Sequence, residues 1–399
     1  MASLNENFLK ISKKYLFSLI EARRDALKSL YPEEEFVDLG VGDVTLPLSS
    51  SIAEGLKKGA EEMTQKVYGY GPYEGYHFLR EALKTTFFSH CPIRSEEIFI
   101  SDGITSDLCG LQELFSNESK VAIIDPAYPL YETLSTLANR EIIKLPLTAE
   151  THYMPEPPET AVDIIYLTSP GNPTGVALTR DCLKKWVAYA KKHDSILFFD
   201  AAYSGFIRSK DVPLSIYEIE GAQDVAIELS SFSKTFGFTG IRLGYCIIPK
   251  ALSLKDALGK KHSLHSLWLS RQSSKTNGIS FPVQKAGLAA LSPKGLAESR
   301  AQIETYLSGA QKIKSYLTSL GYDVIGGMDS PYLWWKIPSK NSWEWFEYLI
   351  DTCRVISIPG AGFGQYGEGY IRLSGFVNDK KASQAIRLLS NLKEVAHAS

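Results

Sequence analysis

Cysteine is scarce in this chain and has no pattern. The 399 residues include five, Cys91, Cys109, Cys182, Cys246 and Cys353. An odd number, widely scattered and without a C-x-x-C pair, excludes a disulfide framework and the common thiol redox motif. No apolar run approaches the roughly 20 residues that cross a bilayer. The polar, lysine-bearing stretch from Met1 to Leu16 has no signal-peptide core. Excess charge is missing too: 43 Lys and Arg stand against 45 Asp and Glu, a net −2. That balance offers no field for nucleic acid or for an anionic membrane. Repeats and low-complexity stretches are absent. The expectation is a cytoplasmic protein with reduced thiols and neither nucleic-acid nor membrane partners.

What is present is a large apolar fraction, 44% over 399 residues, enough for two domains. Short β-branched runs predict strands at Ile98–Ser101, Val121–Asp125, Ile164–Thr168, Ile196–Asp200, Val225–Leu229 and Gly244–Ile248. Helical patterns lie between them, as at Thr105–Phe115 and Thr179–His193. Strands apolar on both faces and alternating with helices predict an α/β fold, a mostly parallel sheet flanked by helices. The last third changes to longer helices, Pro293–Leu320 and Trp343–Cys353, around strands Tyr332–Ile337 and Gly369–Ser374. The predicted division is a large α/β domain over 47–281, with 1–46 and 282–399 forming a smaller α+β domain.

Ligands of open parallel sheets sit at the carboxyl ends of the strands. There this sequence places polar residues. Ile98–Ser101 runs into Asp102-Gly103-Ile104-Thr105, a glycine turn opening a helix, whose free N–H groups suit a phosphate. Val121–Asp125 leads to Pro126-Ala127-Tyr128, and Ile164–Thr168 to Ser169-Pro170-Gly171-Asn172-Pro173-Thr174-Gly175. The next strand ends in Asp200-Ala201-Ala202-Tyr203, a buried carboxylate that is costly unless it meets a cation. Then come Ser231-Phe232-Ser233-Lys234 and, just beyond, Arg242. Singly these read as caps, turns and solvated charges. Together, a carboxylate, a phenol, an amide, a lysine and a phosphate cradle at one sheet edge are what pyridoxal phosphate requires.

The combination of Ser169 to Gly175, Asp200-x-x-Tyr203 and Ser231-x-Ser233-Lys234 with Arg242 resembles the fold-type I, class I/II aminotransferases over nearly the whole chain. Within them, Leu39-Gly40-Val41-Gly42-Asp43-Val44-Thr45-x-Pro47 and Thr276-Asn277-Gly278 are similar to the LL-diaminopimelate group. The resemblance implies pyridoxal 5′-phosphate as cofactor and a homodimer with shared active sites. It implies that Lys234 holds the cofactor covalently, Asp200 pairs with its ring nitrogen, Asn172 and Tyr203 contact the ring oxygen, and Tyr128 stacks on the ring. Ser231, Ser233, Arg242 and the backbone at Ile104 and Thr105 would hold the phosphate. Tyr70 and Asn277 would reach in from the partner subunit. Arg372 would clamp the substrate α-carboxylate, with Tyr15 and Gly42 as further substrate contacts. Thr105, Tyr128, Asn172 and Asn277 are also expected to touch substrate.

Two positions depart from that group. Thr105 stands where a lysine is common, and Tyr73 precedes Glu74 where the acid commonly comes one residue earlier. Other features carry less. Gly360-Ala361-Gly362-Phe363-Gly364 reads as a flexible loop rather than a dinucleotide fingerprint, because no βαβ unit follows. His262 and His265 have no companion ligands, so no metal is expected. Trp334, Trp335, Trp343 and Trp345 read as core of the smaller domain. The alternatives from the sequence are another aminotransferase (aspartate, alanine or aromatic), a C–S lyase, or a transcriptional regulator on the same fold. The last would need an added DNA-binding domain and a basic surface.

Overall fold

The computed structural model describes residues 2–11, 16–339 and 341–392. Seven strands form the larger sheet: β1 (Ile98–Ser101), β2 (Val121–Asp125), β3 (Ile142–Pro146), β4 (Ile164–Thr168), β5 (Ile196–Asp200), β6 (Ala226–Ser231) and β7 (Gly244–Ile247). Their order is β1-β7-β6-β5-β4-β2-β3. The run from β6 to β3 is parallel, while β7 is antiparallel to both its neighbours. Every residue of β1, β2, β4, β5 and β7 is buried, as unbroken apolar strands covered by helices on both faces must be. The α/β expectation therefore holds.

Two details differ from the apolar pattern. β6 continues to Ser231, because the polar Ser230 and Ser231 pair with Tyr245 and Gly244 of β7. β3 was not expected: it is an edge strand, Ile-Ile-Lys-Leu-Pro, with only Leu145 fully buried. Its Pro146 is tolerated because an edge strand needs no second ladder. The helix after β1 starts at Ile104 and becomes a 3-10 turn after Leu111. The helix Arg180–His193 is capped by Thr179, whose Oγ1 accepts from Cys182 N at 3.2 Å.

A second, antiparallel sheet has the order β8-β9-β11-β10, from Val324–Gly326 (β8), Tyr332–Lys336 (β9), Ile358–Pro359 (β10) and Tyr370–Ser374 (β11). The 27-residue helix Pro293–Ser319 packs on it. Trp334 and Trp335 are buried here as expected, whereas Trp343 is 37% exposed. Val37–Asp38 pairs in parallel with Val355–Ile356, and Ser374 N donates to Leu39 O at 2.6 Å. These bonds carry the turn 40–43 to the edge of the larger sheet. Among the described residues, no helix is long and apolar enough to cross a membrane.

Candidate active site

A cavity of about 470 Å³ opens at the carboxyl ends of β4, β5 and β6. Of the residues singled out in the sequence, Gly42, Ile104, Thr105, Tyr128, Asn172, Asp200, Tyr203, Ser231, Ser233, Lys234, Arg242 and Arg372 all line it. Tyr70 and Asn277 do not: Tyr70 is 85% exposed and Asn277 is exposed as well. They lie on adjoining loops, since a Cβ on Gly278 would stand 3.0 Å from Pro72 O. Tyr15 lies outside the described residues.

Lys234 sits in the short helix Phe232–Thr235 that follows β6, under a Ser231 cap whose side chain accepts from Ser233 N at 3.0 Å. Its Nζ donates to Gly42 O at 2.6 Å and lies 3.5 Å from Asp43 Oδ1. Burial pushes the amine pKa down; Asp43 opposes that, and the positive Arg372 and Arg242 add to it. A larger share of Lys234 is therefore neutral and nucleophilic than for a solvated lysine.

Asp200 closes β5 inside the cavity wall. Its Oδ2 accepts from Tyr131 OH at 2.7 Å and its Oδ1 from Ala202 N at 3.0 Å. Burial still raises its pKa, with those two bonds pulling the other way. Tyr131, whose hydroxyl also lies 2.8 Å from Thr168 Oγ1, was not singled out in the sequence. A tyrosine in a helix after Pro129 looks like any core aromatic until its partner is known.

The anion-facing end is built around a glycine. Gly103 has φ +136°, and a Cβ there would stand 2.7 Å from Arg242 Nη2. Only a residue without a side chain lets the arginine lie across the turn that opens Ile104–Leu111. Arg242 Nη1 donates to Ser233 Oγ at 3.2 Å. Gly103 N in turn donates to Ser101 Oγ at 3.2 Å, and Ser101 Oγ to the buried Asp107 at 2.6 Å. Burial lifts Asp107 to about 7.

Arg372 is fully buried in β11, a strand flanked on both sides by others. Nη1 donates to Asn172 Oδ1 at 2.8 Å and Nη2 to Gly40 O at 2.6 Å. Its guanidinium carbon lies 4.5 Å from the Tyr332 ring, 5.0 Å from Phe363 and 5.5 Å from Phe17. Tyr332 and Phe363 were missed in the sequence. Phe363 belongs to the glycine-rich segment read as a flexible loop, which forms a 3-10 turn here; Gln365 N and Tyr366 N, just beyond it, donate to Asp125. Asp125 therefore serves that loop rather than the cavity.

The departures fall in different places. Thr105 lines the cavity, while Tyr73 and Glu74 lie outside it. His262 pairs with Asp256 at 2.8 Å and His265 with the Glu96 carbonyl at 2.9 Å.

The donors fit a phosphorylated pyridine aldehyde. Arg242, Ser231, Ser233 and the N–H groups opening Ile104–Leu111 complement a phosphate, and the lack of a side chain on Gly103 is what lets Arg242 lie at that end. Asp200, buried without a cation among its hydrogen-bond partners, complements a protonated ring nitrogen. Lys234 complements the carbonyl.

The family model "aminotransferase class I and II" matches residues 34–389. The chain is 41% identical to the LL-diaminopimelate aminotransferase of Methanosphaera stadtmanae, over 98% of this chain and 99% of that one. It is 42% identical to that of Agathobacter rectalis, over 98% and 100%. The solved L,L-diaminopimelate aminotransferase from Chlamydomonas reinhardtii superposes with a TM-score of 0.92 at 39% identity, with 98% of each chain covered.

Proposed function

The chain belongs to the class I and II aminotransferases, and we propose that it is an LL-diaminopimelate aminotransferase dependent on pyridoxal 5′-phosphate. The reaction is the reversible transfer of an amino group between glutamate/2-oxoglutarate and tetrahydrodipicolinate/LL-2,6-diaminopimelate, a step toward lysine and peptidoglycan precursors. One observation carries the reading. Lys234, Asp200, Arg242 and Arg372 line one cavity in a chain that shares 41–42% identity, nearly end to end, with two aminotransferases of that name.

Bound pyridoxal phosphate supplies an electron sink for charge that develops at the substrate Cα. The protein supplies the rest. Arg372 offers a planar fork to the substrate α-carboxylate, and its bonds to Asn172 and Gly40 hold that fork in one orientation. Fixing the carboxylate aims the Cα–H bond at Lys234. Once free, the Lys234 amine takes that proton, and a base poised near working pH is worth roughly 10²–10⁴ in rate. Asp200, steadied by Tyr131, keeps a proton on the ring nitrogen. When the cofactor is bound, Tyr203 and Asn172 would meet the ring oxygen, Tyr128 would cover the ring face, and Ser231, Ser233, Arg242 and the Ile104–Thr105 backbone would hold the phosphate. Gly42 and Thr105 border the substrate.

The same reading includes a cytoplasmic homodimer, with Tyr70 and Asn277 entering the other subunit's cavity and residues 47–281 as the cofactor-binding unit. Supporting it, both residues are exposed on adjoining loops away from their own cavity. All five cysteines are free thiols, which suits a reducing compartment. Product analysis tests the reaction. Incubation with LL-2,6-diaminopimelate and 2-oxoglutarate should yield glutamate in step with diamino acid consumed; release of ammonia and pyruvate from amino acids would instead mark an eliminating enzyme.

A further inference from the structure

β2 ends in Asp125, a carboxylate that is 2% exposed and does not line the cavity. Its Oδ1 accepts from Tyr366 N at 3.1 Å and its Oδ2 from Gln365 N at 3.2 Å. Two residues on, Ala127 N donates to Phe363 O at 2.9 Å. Gly364, between those contacts, has φ +137°, and a Cβ there would run into the Asp125 carboxylate. A residue without a side chain is what lets this segment wrap the acid. Residues 363–366 are thus tied to the end of β2 at both ends.

What the tie fixes is the Phe363 ring. It is buried, edge-on to Phe17 at 6.2 Å and to Trp334 at 6.3 Å, and its centroid lies 5.0 Å from the Arg372 guanidinium carbon. A guanidinium beside a ring face is attracted to it and confined by it. The bonds of Arg372 to Asn172 and Gly40 set the fork from one side, and the ring sets it from another. A carboxylate suits the tie better than an amide. Two backbone N–H groups need two acceptor oxygens, whereas asparagine offers one and turns an NH2 donor towards the other N–H.

We propose that Asp125 is a positioning residue for substrate binding: by fastening residues 363–366 it sets the Phe363 ring against Arg372, and so holds the fork that takes the substrate α-carboxylate. The inference rests on the role proposed for Arg372 and deepens it, adding a residue that lies outside the cavity and touches neither substrate nor cofactor.

The test is the Asp125→Asn variant as holoenzyme in the glutamate half-reaction. A fork that is less well held binds the carboxylate more weakly, so the apparent KM should rise about 3- to 30-fold while the limiting rate stays within about two-fold. A merely structural role would lower the amplitude, through loss of folded enzyme, and leave the KM alone. Phe363→Leu, which keeps Asp125 and both its bonds, should raise the KM to a similar extent. If Asp125→Asn fails to fold, Gly364→Ala, whose methyl would press on the same carboxylate, carries the same test. An unchanged KM in the folded variants, with or without a fall in amplitude, would overturn the inference. Arg372→Lys tests the premise separately. An unchanged KM there would overturn the role of Arg372, whereas a rise there with none in Asp125→Asn would overturn the inference alone.

Discussion

Tyr203 and Tyr332 share a hydrogen bond, their hydroxyls 2.6 Å apart in a fully buried pair. Burial raises both phenol pKa values, so the bond stays neutral at ordinary pH. The Tyr332 ring also carries the Arg372 guanidinium at 4.5 Å. One residue thus links a residue assigned to the cofactor with one assigned to the substrate.

That double duty can be separated. Tyr332→Phe leaves the Tyr203 hydroxyl without this partner and should destabilise the fold by about 1–3 kcal/mol, with little effect on the glutamate KM. Tyr332→Leu also removes the ring beneath Arg372 and should raise that KM several-fold, by about 0.5–2 kcal/mol of lost cation–π attraction. Urea unfolding and the glutamate half-reaction read the two effects; a KM rise as large in Phe as in Leu would contradict the division.

Gly103→Ala should weaken cofactor binding selectively. The new methyl would meet Arg242 at 2.7 Å on a backbone at φ +136°, a strain of about 1–3 kcal/mol. Equilibrium dialysis of pyridoxal phosphate should then show an affinity about ten-fold lower or worse. Unchanged affinity would mean that Arg242 does not lie across this turn.

Asp43→Asn probes Lys234. Asp43 raises the amine pKa, so its removal lowers it further. Recombination of the cofactor-free protein with pyridoxal phosphate requires the neutral amine. The rising limb of its rate against pH should therefore move to lower pH. A limb that stays in place or moves upward would contradict the contact seen between the two side chains.

Glu228 is a buried carboxyl in β6, accepting from Ser215 Oγ at 2.5 Å and Ile216 N at 3.0 Å. Burial lifts it to about 8 from an ordinary 4.5. The folded chain keeps this proton where the unfolded chain has lost it, so stability present below pH 4.5 declines as pH rises towards 8. Glu228→Gln should flatten that decline in urea unfolding between those limits. Parallel curves would show that Glu228 is ionised in the folded protein.

Much of the architecture was legible because its cause is local. Unbroken apolar runs such as Ile164–Thr168 and Ile196–Asp200 are the signature of a covered parallel sheet, and polar residues at their carboxyl ends marked the cavity. The half-buried edge strand β3 has no such signature. Tyr131, Tyr332 and Phe363 were hidden for another reason: their work depends on Asp200 and Arg372, which lie far away in sequence. Asp125 shows the converse, a strand-end carboxylate with the expected look that serves a loop instead.

The most direct test of the account is a set of half-reactions. The purified protein loaded with pyridoxal phosphate is mixed in turn with LL-2,6-diaminopimelate, glutamate, aspartate, meso-diaminopimelate and an aromatic amino acid, and the absorbance change to the pyridoxamine form is timed. Fast conversion by LL-2,6-diaminopimelate and glutamate, and slow conversion by the others, is the predicted result. Conversion by aspartate or the aromatic amino acid alone would contradict it, keeping the aminotransferase but removing the diaminopimelate substrate.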